Sequence, residues 1–462
     1  MYTKENKILF AIFLLAFIMR VMFFDTSYII WDESIYLMHG ELYAGMDVGY
    51  EETFLRPPLL PFLLSPFALL SHESYEIISK IFMILLNSLI VIPVYLLARR
   101  INKKAGLLTA LLIAILPVSI NSSRYVLTDH PGAILALLSF VLFFSGTKDK
   151  KPVLVYAGAF VLGLAILMKF TNMLVFLLIL PLCYMLLSKK RTNECVLAPI
   201  IFLLTVAPYA IYNLIKFKDP IYPLTRAFHV VSENDPIKLD FLFYIFHDVF
   251  GSVFLVLSIV GIYMFVKQSI LNEGRKEEKI FNSVLLFAFF SVFAYFVFIA
   301  GRGTAKPIGI EWEIERFALL LIPFALSFCA YAIIELSQKI PKRIRNAAII
   351  VLLVIAFAFL LPQYTRTYTP QIEFEDGLRH ATVDISEYIK NQNITDISCI
   401  GNCPPVAYYS QKKIDVFYNK DALLESHAKY ILAFEPINSE SIALVEKTCN
   451  KTRCAYLYRH LF

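Results

Sequence analysis

Long apolar runs separated by short polar connections dominate the first three-quarters of this chain. A bilayer crossing by an α-helix needs about 20 predominantly apolar residues. By that measure spans are expected near 7–24, 77–97, 105–121, 130–146, 153–169, 172–188, 195–213, 243–266, 280–300, 317–337 and 347–362. The pattern therefore predicts a polytopic α-helical membrane protein with about eleven crossings. After residue 365 the long runs stop and short alternating segments begin. Helical stretches are expected at 381–391, 404–410, 420–427 and 438–448, and strands at 396–400, 414–418, 429–434 and 454–458. That order predicts a small α/β layer with a mostly parallel sheet. Two domains follow: a transmembrane one at 1–365, including a long first outer loop (25–76) with surface helices, and a tail at 366–462.

Composition agrees. Across 462 residues, 58% are hydrophobic, 15% aromatic and 17% charged, against roughly 45–50% apolar and about 25% charged in soluble domains. The net charge of +6 resides in basic clusters on alternate connections, which reads as membrane topology and not as a nucleic-acid surface. These clusters include Arg99-Arg100, Lys150-Lys151, Lys189-Lys190-Arg191, Lys276 and Lys342-Arg343. They place the N-terminus in the cytoplasm and the tail outside the cell membrane. Lys4 and Lys7 precede the first run without a small-residue cleavage site, so that run is read as a retained helix. Cys183, Cys195 and Cys329 lie in or beside apolar runs. The tail holds Cys399, Cys403, Cys449 and Cys454, for which two disulfides with three possible connectivities compete with a zinc site; an oxidising compartment favours disulfides. The tail sequons Asn393-Ile394-Thr395 and Asn450-Lys451-Thr452 fit the same compartment.

The first outer loop is acidic: Asp25, Asp32, Glu33, Glu41, Asp47, Glu51, Glu52, Glu73 and Glu76 face Arg56 as its single Lys or Arg. Trp31-Asp32-Glu33 precedes a predicted helix at Ser34–Tyr43. Asp32 could be that helix's N-cap, but a cap explains one acid and not an adjacent pair. A carboxylate here suits a general base acting on an alcohol. Arg56-Pro57-Pro58 reads either as an interfacial anchor or as a rigidly held guanidinium for a phosphate. Asp129, in Thr128-Asp129-His130-Pro131, is a good N-cap candidate for the following helix. It and Arg124 are nevertheless expected on the same face as Asp32. A metal site of Asp32, Asp129 and His130 is disfavoured. Arg20, Lys169, Arg302 and Arg316 are charges at or near outer span ends, where ionisable groups are functional candidates. Lys169 is the most anchor-like of these, and Arg316, next to Phe317, the most suited to phosphate. Trp312 fits an interfacial aromatic belt.

In this order and on one face, the first-loop acid pair, the basic residue before Pro-Pro, the second acid and the late Arg-aromatic resemble the GT-C glycosyltransferases. The branch they are most similar to is glycosyltransferase family 39, the protein O-mannosyltransferase and aminoarabinose transferase group. Asp32-Glu33 stand where that family has its Asp-Glu pair, and Arg56-Pro57-Pro58 where it has Lys-Pro-Pro or His-Pro-Pro. Asp129 matches the second acid, and Arg316-Phe317 the late Arg-Tyr. Arg in place of Lys or His departs from the pattern, as does the lack of a large β-trefoil insertion. The resemblance implies an inverting transfer of a sugar from a dolichyl- or undecaprenyl-phosphate donor to an extracytoplasmic glycan, lipid or protein hydroxyl. Asp32, Glu33 and Asp129 would then be catalytic, and Arg56, Arg124, Lys169, Arg302 and Arg316 would bind substrate phosphate. The lipid bilayer is the other partner; no nucleic acid, cofactor or divalent metal is expected. A transporter or flippase for an anionic lipid-linked substrate is the alternative, though the charges gather at one surface and no internal repeat is visible. An oligosaccharyltransferase is less well matched, because its Trp-Trp-Asp motif is missing. The reading requires Asp32, Arg56, Asp129 and Arg316 to converge.

Overall fold

The computed structural model describes residues 4–24, 29–47, 55–226, 252–271, 275–303, 318–341, 343–345, 347, 350–351, 354, 369–417, 419–450 and 453–461. In chain order the helices begin with α1 (Lys4–Met22), α2 (Trp31–Tyr43), α3 (Leu59–Leu64), α4 (His72–Ser88) and α5 (Val91–Ile101). They continue with α6 (Lys103–Ile115), α7 (Pro117–Asn121), α8 (Asp129–Lys148), α9 (Pro152–Met168), α10 (Leu174–Ser188) and α11 (Thr192–Phe217). Then come α12 (Ser252–Val266), α13 (Lys276–Gly303), α14 (Leu321–Gln338) and, in the tail, α15 (Thr369–Asn391). The tail alternates β1 (Ile397–Ile400), α16 (Cys403–Ser410), β2 (Ile414–Phe417), α17 (Lys420–Leu424), β3 (Tyr430–Ala433), β4 (Ile442–Asn450) and β5 (Arg453–His460).

Among the described residues, seven helical stretches are long and apolar enough to cross a bilayer: 74–101, 129–148, 170–188, 192–217, 253–271, 276–297 and 318–338. Each coincides with an expected span. Of the other four expectations, α1 carries Lys4, Glu5, Lys7 and Arg20, while α6 has 13 residues and α9 has 17. The fourth, 347–362, lies largely outside the described residues.

The chain divides into two compact units. One comprises residues 1–24, 84–124 and 128–365; the other comprises 25–83, 125–127 and 366–462. The first outer loop thus folds with the tail.

In the first unit α8 is buried on nearly every side. Its apolar character all round is that of a helix surrounded by other helices. Phe140 meets Phe324 of α14 at 5.8 Å between ring centroids, and Phe144 meets Phe281 of α13 edge-on at 5.4 Å. Aromatic pairs of this kind add about 0.5–1.5 kcal/mol each beyond area burial. By contrast, Leu203, Leu204 and Ile211 of α11 are exposed. An apolar exposed stripe of that length suits a lipid-facing helix.

In the second unit the tail forms a five-stranded sheet of order β2-β1-β3-β5-β4. β1 pairs in parallel with β2 and β3, whereas β5 is antiparallel to both β3 and β4. The sheet expected to be mostly parallel is therefore an even mixture of parallel and antiparallel pairs, and most of the helix expected at 438–448 is instead strand β4. Ala443, Leu444, Glu446 and Lys447 are good helix formers, but the segment abuts β5, and hairpin pairing outweighs local propensity. The hairpin closes with Cys449 opposite Cys454, which are disulfide-bonded, and Cys399 is bonded to Cys403.

Candidate active site

Helix α2 opens the second unit's polar centre. Its N-cap is Ile30, not Asp32, and Ile30 has no side chain able to cap. Glu33 replaces that function: its Oε2 accepts from the Ile30 backbone N–H at 2.9 Å, satisfying one of the donors a helix start leaves over. Its Oε1 accepts from the Val126 backbone N–H at 2.7 Å, which fastens the 125–127 segment to α2. Glu33 is fully buried, and burial, against the nearby Lys80, pushes its carboxyl up to about 7. With each carboxylate oxygen bonded to a backbone N–H, Glu33 holds the scaffold in place beneath its neighbour.

Asp32 points the other way. Its Oδ1 accepts from Arg56 Nη2 at 2.7 Å, and the side chains remain 20% and 36% exposed respectively. Pro57 and Pro58, both buried, fix the backbone just after Arg56. The two sequence motifs of the first loop are thus brought into direct contact, carboxylate against guanidinium, on an accessible edge.

The same unit holds a second polar group that the motifs did not reveal. Glu41 Oε1 lies 3.1 Å from His72 Nδ1, and the His72 ring packs on Tyr408 of α16 at 4.1 Å between centroids. Tyr75 donates to the Leu37 carbonyl at 3.0 Å, directly over Gly40, where a Cβ would lie 2.2 Å from its hydroxyl oxygen. Only glycine admits that tyrosine. Lys80, buried, pairs with Glu76 at 3.3 Å. These contacts join the first loop to the tail within the unit. A sequence signal existed only as polar residues spaced at three and four within 72–80, whose tail partners lie more than 300 positions away.

In the first unit, Asp129 is the first residue of α8 and Thr128 its N-cap, so the expected capping role of Asp129 is not what is seen. Asp129 pairs instead with Lys169, with the side chains 8% and 18% exposed. Lys169 ends α9 in an extended conformation. Asn172 clamps the two helices by donating to the Gly132 carbonyl at 3.1 Å and the Ala165 carbonyl at 2.8 Å. A Cβ on Gly132 would lie 3.0 Å from Asn172 Nδ2 and 3.1 Å from Lys169 Cβ, so glycine permits the approach. Arg20, buried, donates to Ser119 Oγ at 2.7 Å, and His130 Nε2 lies 3.1 Å from the same hydroxyl. His130 therefore belongs to a polar contact inside the bundle. Arg124 is also buried in this unit. Arg302 falls in the last turn of α13, while Arg316, Phe317 and Trp312 lie outside the described residues. Among the described residues, no three His, Cys, Asp or Glu side chains are grouped to hold a metal ion.

Residues 55–212, about a third of the chain, match the family model described as dolichyl-phosphate-mannose-protein mannosyltransferase. Solved structures similar in fold include the following two. The oligosaccharyltransferase AglB of Archaeoglobus fulgidus, in complex with an inhibitory peptide and a dolichol-phosphate, has 13% identity and a TM-score of 0.64, covering 93% of this chain and 69% of that one. ArnT of Cupriavidus metallidurans, bound to undecaprenyl phosphate, has 13% identity and a TM-score of 0.61, covering 97% of each chain. A search of curated protein sequences found no match.

Proposed function

We propose that this chain is a glycosyltransferase of the GT-C superfamily, a reading supported by the family match over residues 55–212 and by the shared fold, and that it moves a hexose or aminosugar from a polyprenyl-phosphate carrier to an extracytoplasmic hydroxyl. The observation that carries the reading is the Asp32–Arg56 contact at 2.7 Å on an accessible edge of the first-loop unit. Asp32 takes the proton of the acceptor hydroxyl as its oxygen attacks the anomeric carbon from the face opposite the phosphate. The C1–O bond to phosphate breaks, its electron pair leaves with the phosphate, and the anomeric centre inverts. Arg56 stabilises the charge that gathers on that phosphate. The leaving group is a phosphate monoester, so no general acid is required. A guanidinium does the work that a divalent ion does for nucleotide-sugar donors, and the reaction is expected to proceed in the presence of a chelator.

Glu33 is a positioning residue in this scheme, since its two backbone bonds fix the helix start that carries Asp32. Arg124, Lys169, Arg302 and Arg316 stay in the proposal as phosphate contacts and Asp129 as a second catalytic acid, each to be tested by its own substitution. The two tail disulfides fit an oxidising compartment, in keeping with a tail outside the cell membrane.

The test is transfer by the purified full chain in lipid vesicles, supplied with a radiolabelled mannosyl or aminoarabinosyl polyprenyl phosphate and an extract of cell-surface glycans and lipids. Covalent transfer that withstands EDTA and disappears in Asp32→Asn supports the reading. Transfer retained by a folded Asp32→Asn protein removes Asp32 as the base, and uptake of donor without any covalent product favours a transporter.

A further inference from the structure

Where α10 and α13 run side by side in the first unit, an open groove of about 500 Å³ follows their outer faces. α10 supplies Pro181, Tyr184 and Met185 to its walls, and α13 supplies Ile280 and Val284. Pro181 stands inside α10, where it removes a backbone donor. The walls are apolar, and Tyr184 and Ile280 are exposed. One end differs: Lys189, Lys276 and Glu277 meet there. Lys189 is paired with Glu277, and its ammonium also lies 5.7 Å from the Phe281 ring centroid. Lys276 has no carboxylate partner among the described residues. The two connections that border this end, Lys189-Lys190-Arg191 and Arg275-Lys276-Glu277-Glu278-Lys279, carry six basic residues and two acidic ones.

Both helices are span-length apolar stretches, so the groove faces acyl chains and its cationic end lies at the level of lipid headgroups. We propose that this groove seats one anionic phospholipid, with its phosphodiester against Lys276 and Lys189 and an acyl chain along Pro181, Tyr184 and Ile280. The occupant follows from charge complementarity. A zwitterionic lipid would set a positive headgroup group beside Lys189 and Lys276, and a soluble phosphate would leave the apolar slot uncovered. Glu277 is neutralised by Lys189, so it does not reverse the sign of the end. The groove belongs to the first unit and Asp32 and Arg56 to the second, and the proposal does not depend on the proposed transfer reaction.

Native mass spectrometry of the full chain in detergent micelles tests this, with dioleoyl phosphatidylglycerol and dioleoyl phosphatidylcholine as competing probes. One phosphatidylglycerol should be retained with about fivefold or greater preference over phosphatidylcholine, since each cation near a lipid surface contributes about that factor. Lys276→Glu should abolish the preference. Ser188→Trp, an exposed substitution at the groove wall, should lower retention of both lipids while leaving the chain folded by circular dichroism. Equal retention of the two lipids by the unaltered chain would overturn the proposal. So would a preference that survives Lys276→Glu, or phosphatidylglycerol binding unaffected by Ser188→Trp.

Discussion

Two helix starts, α2 and α8, each carry an acid in the first turn bonded to a cation far away in sequence, yet the two pairs have different characters. Asp32 and Arg56 lie on an open edge, one-fifth and about one-third exposed, where a ligand can reach both. Asp129 and Lys169 are nearly closed off between α8 and α9, braced by Asn172 and by the close approach at Gly132. The difference teaches that an acid–base motif gains reactivity from what leaves it accessible, and structural weight from what encloses it. Glu33 completes the lesson. One residue along from Asp32, it is fully enclosed and, among the described residues, its two carboxylate oxygens accept from backbone N–H groups.

Breaking the open pair should produce the largest effect. Asp32→Asn should lower transfer by about 10²–10⁴-fold, the usual contribution of a general base, with an unchanged thermal unfolding midpoint; radiolabel transfer beside differential scanning fluorimetry measures both. Breaking the enclosed pair should instead strike stability. Lys169→Met leaves Asp129 without its cation and should cost about 3–5 kcal/mol, whereas Lys169→Met with Asp129→Leu should recover most of it. A denaturant titration in detergent that finds the single and double variants equal would refute the enclosed character of this pair.

Glu33 supplies the next contrast. Its carboxyl is raised to about 7 from an ordinary value of 4.5. Its folded form therefore prefers the proton, and the stability it contributes is fully present below pH 4.5 and lost as pH rises through 7. The swing is about 3 kcal/mol at most. The unfolding midpoint should accordingly fall between pH 5 and pH 8, and Glu33→Gln should flatten that slope. A midpoint that rises over this range would be the wrong sign. Arg56→Ala should lower transfer about tenfold to a hundredfold, chiefly through kcat because the lost interaction grows with the charge on the leaving phosphate, with Arg56→Lys restoring part of it because charge returns without the planar fork. The smallest effect belongs to the same pair's stability. A double-mutant cycle on Asp32 and Arg56 should give about 1 kcal/mol or less, because solvent screens a partly exposed pair.

How much of this was legible beforehand varies by element. The seven span-length stretches stood out in the sequence because a bilayer demands long apolar runs. The motif order singled out Asp32 and Arg56, and the fold set them in contact. The sequence pairs Glu33 with Asp32 by adjacency, whereas its bonds to backbone groups at Ile30 and Val126 could not be foreseen, because no side-chain pattern advertises a backbone donor. Asp129 looked like an N-cap, but Thr128 takes that place and Lys169, 40 positions later, takes the carboxylate. In the tail, local helix propensity over 438–448 yielded to pairing with β5.

The amino-acid sequence by itself determined the class of protein, the positions of most spans and the chemistry available at the first loop. Apolar length and charge placement act residue by residue, so they survive being read along a line. Tertiary structure alone decided which carboxylate is enclosed and which is open, that the first loop folds with the tail, and where each cation finds its acid. Those outcomes depend on burial and on contacts between distant segments, which exist only once the chain has closed on itself.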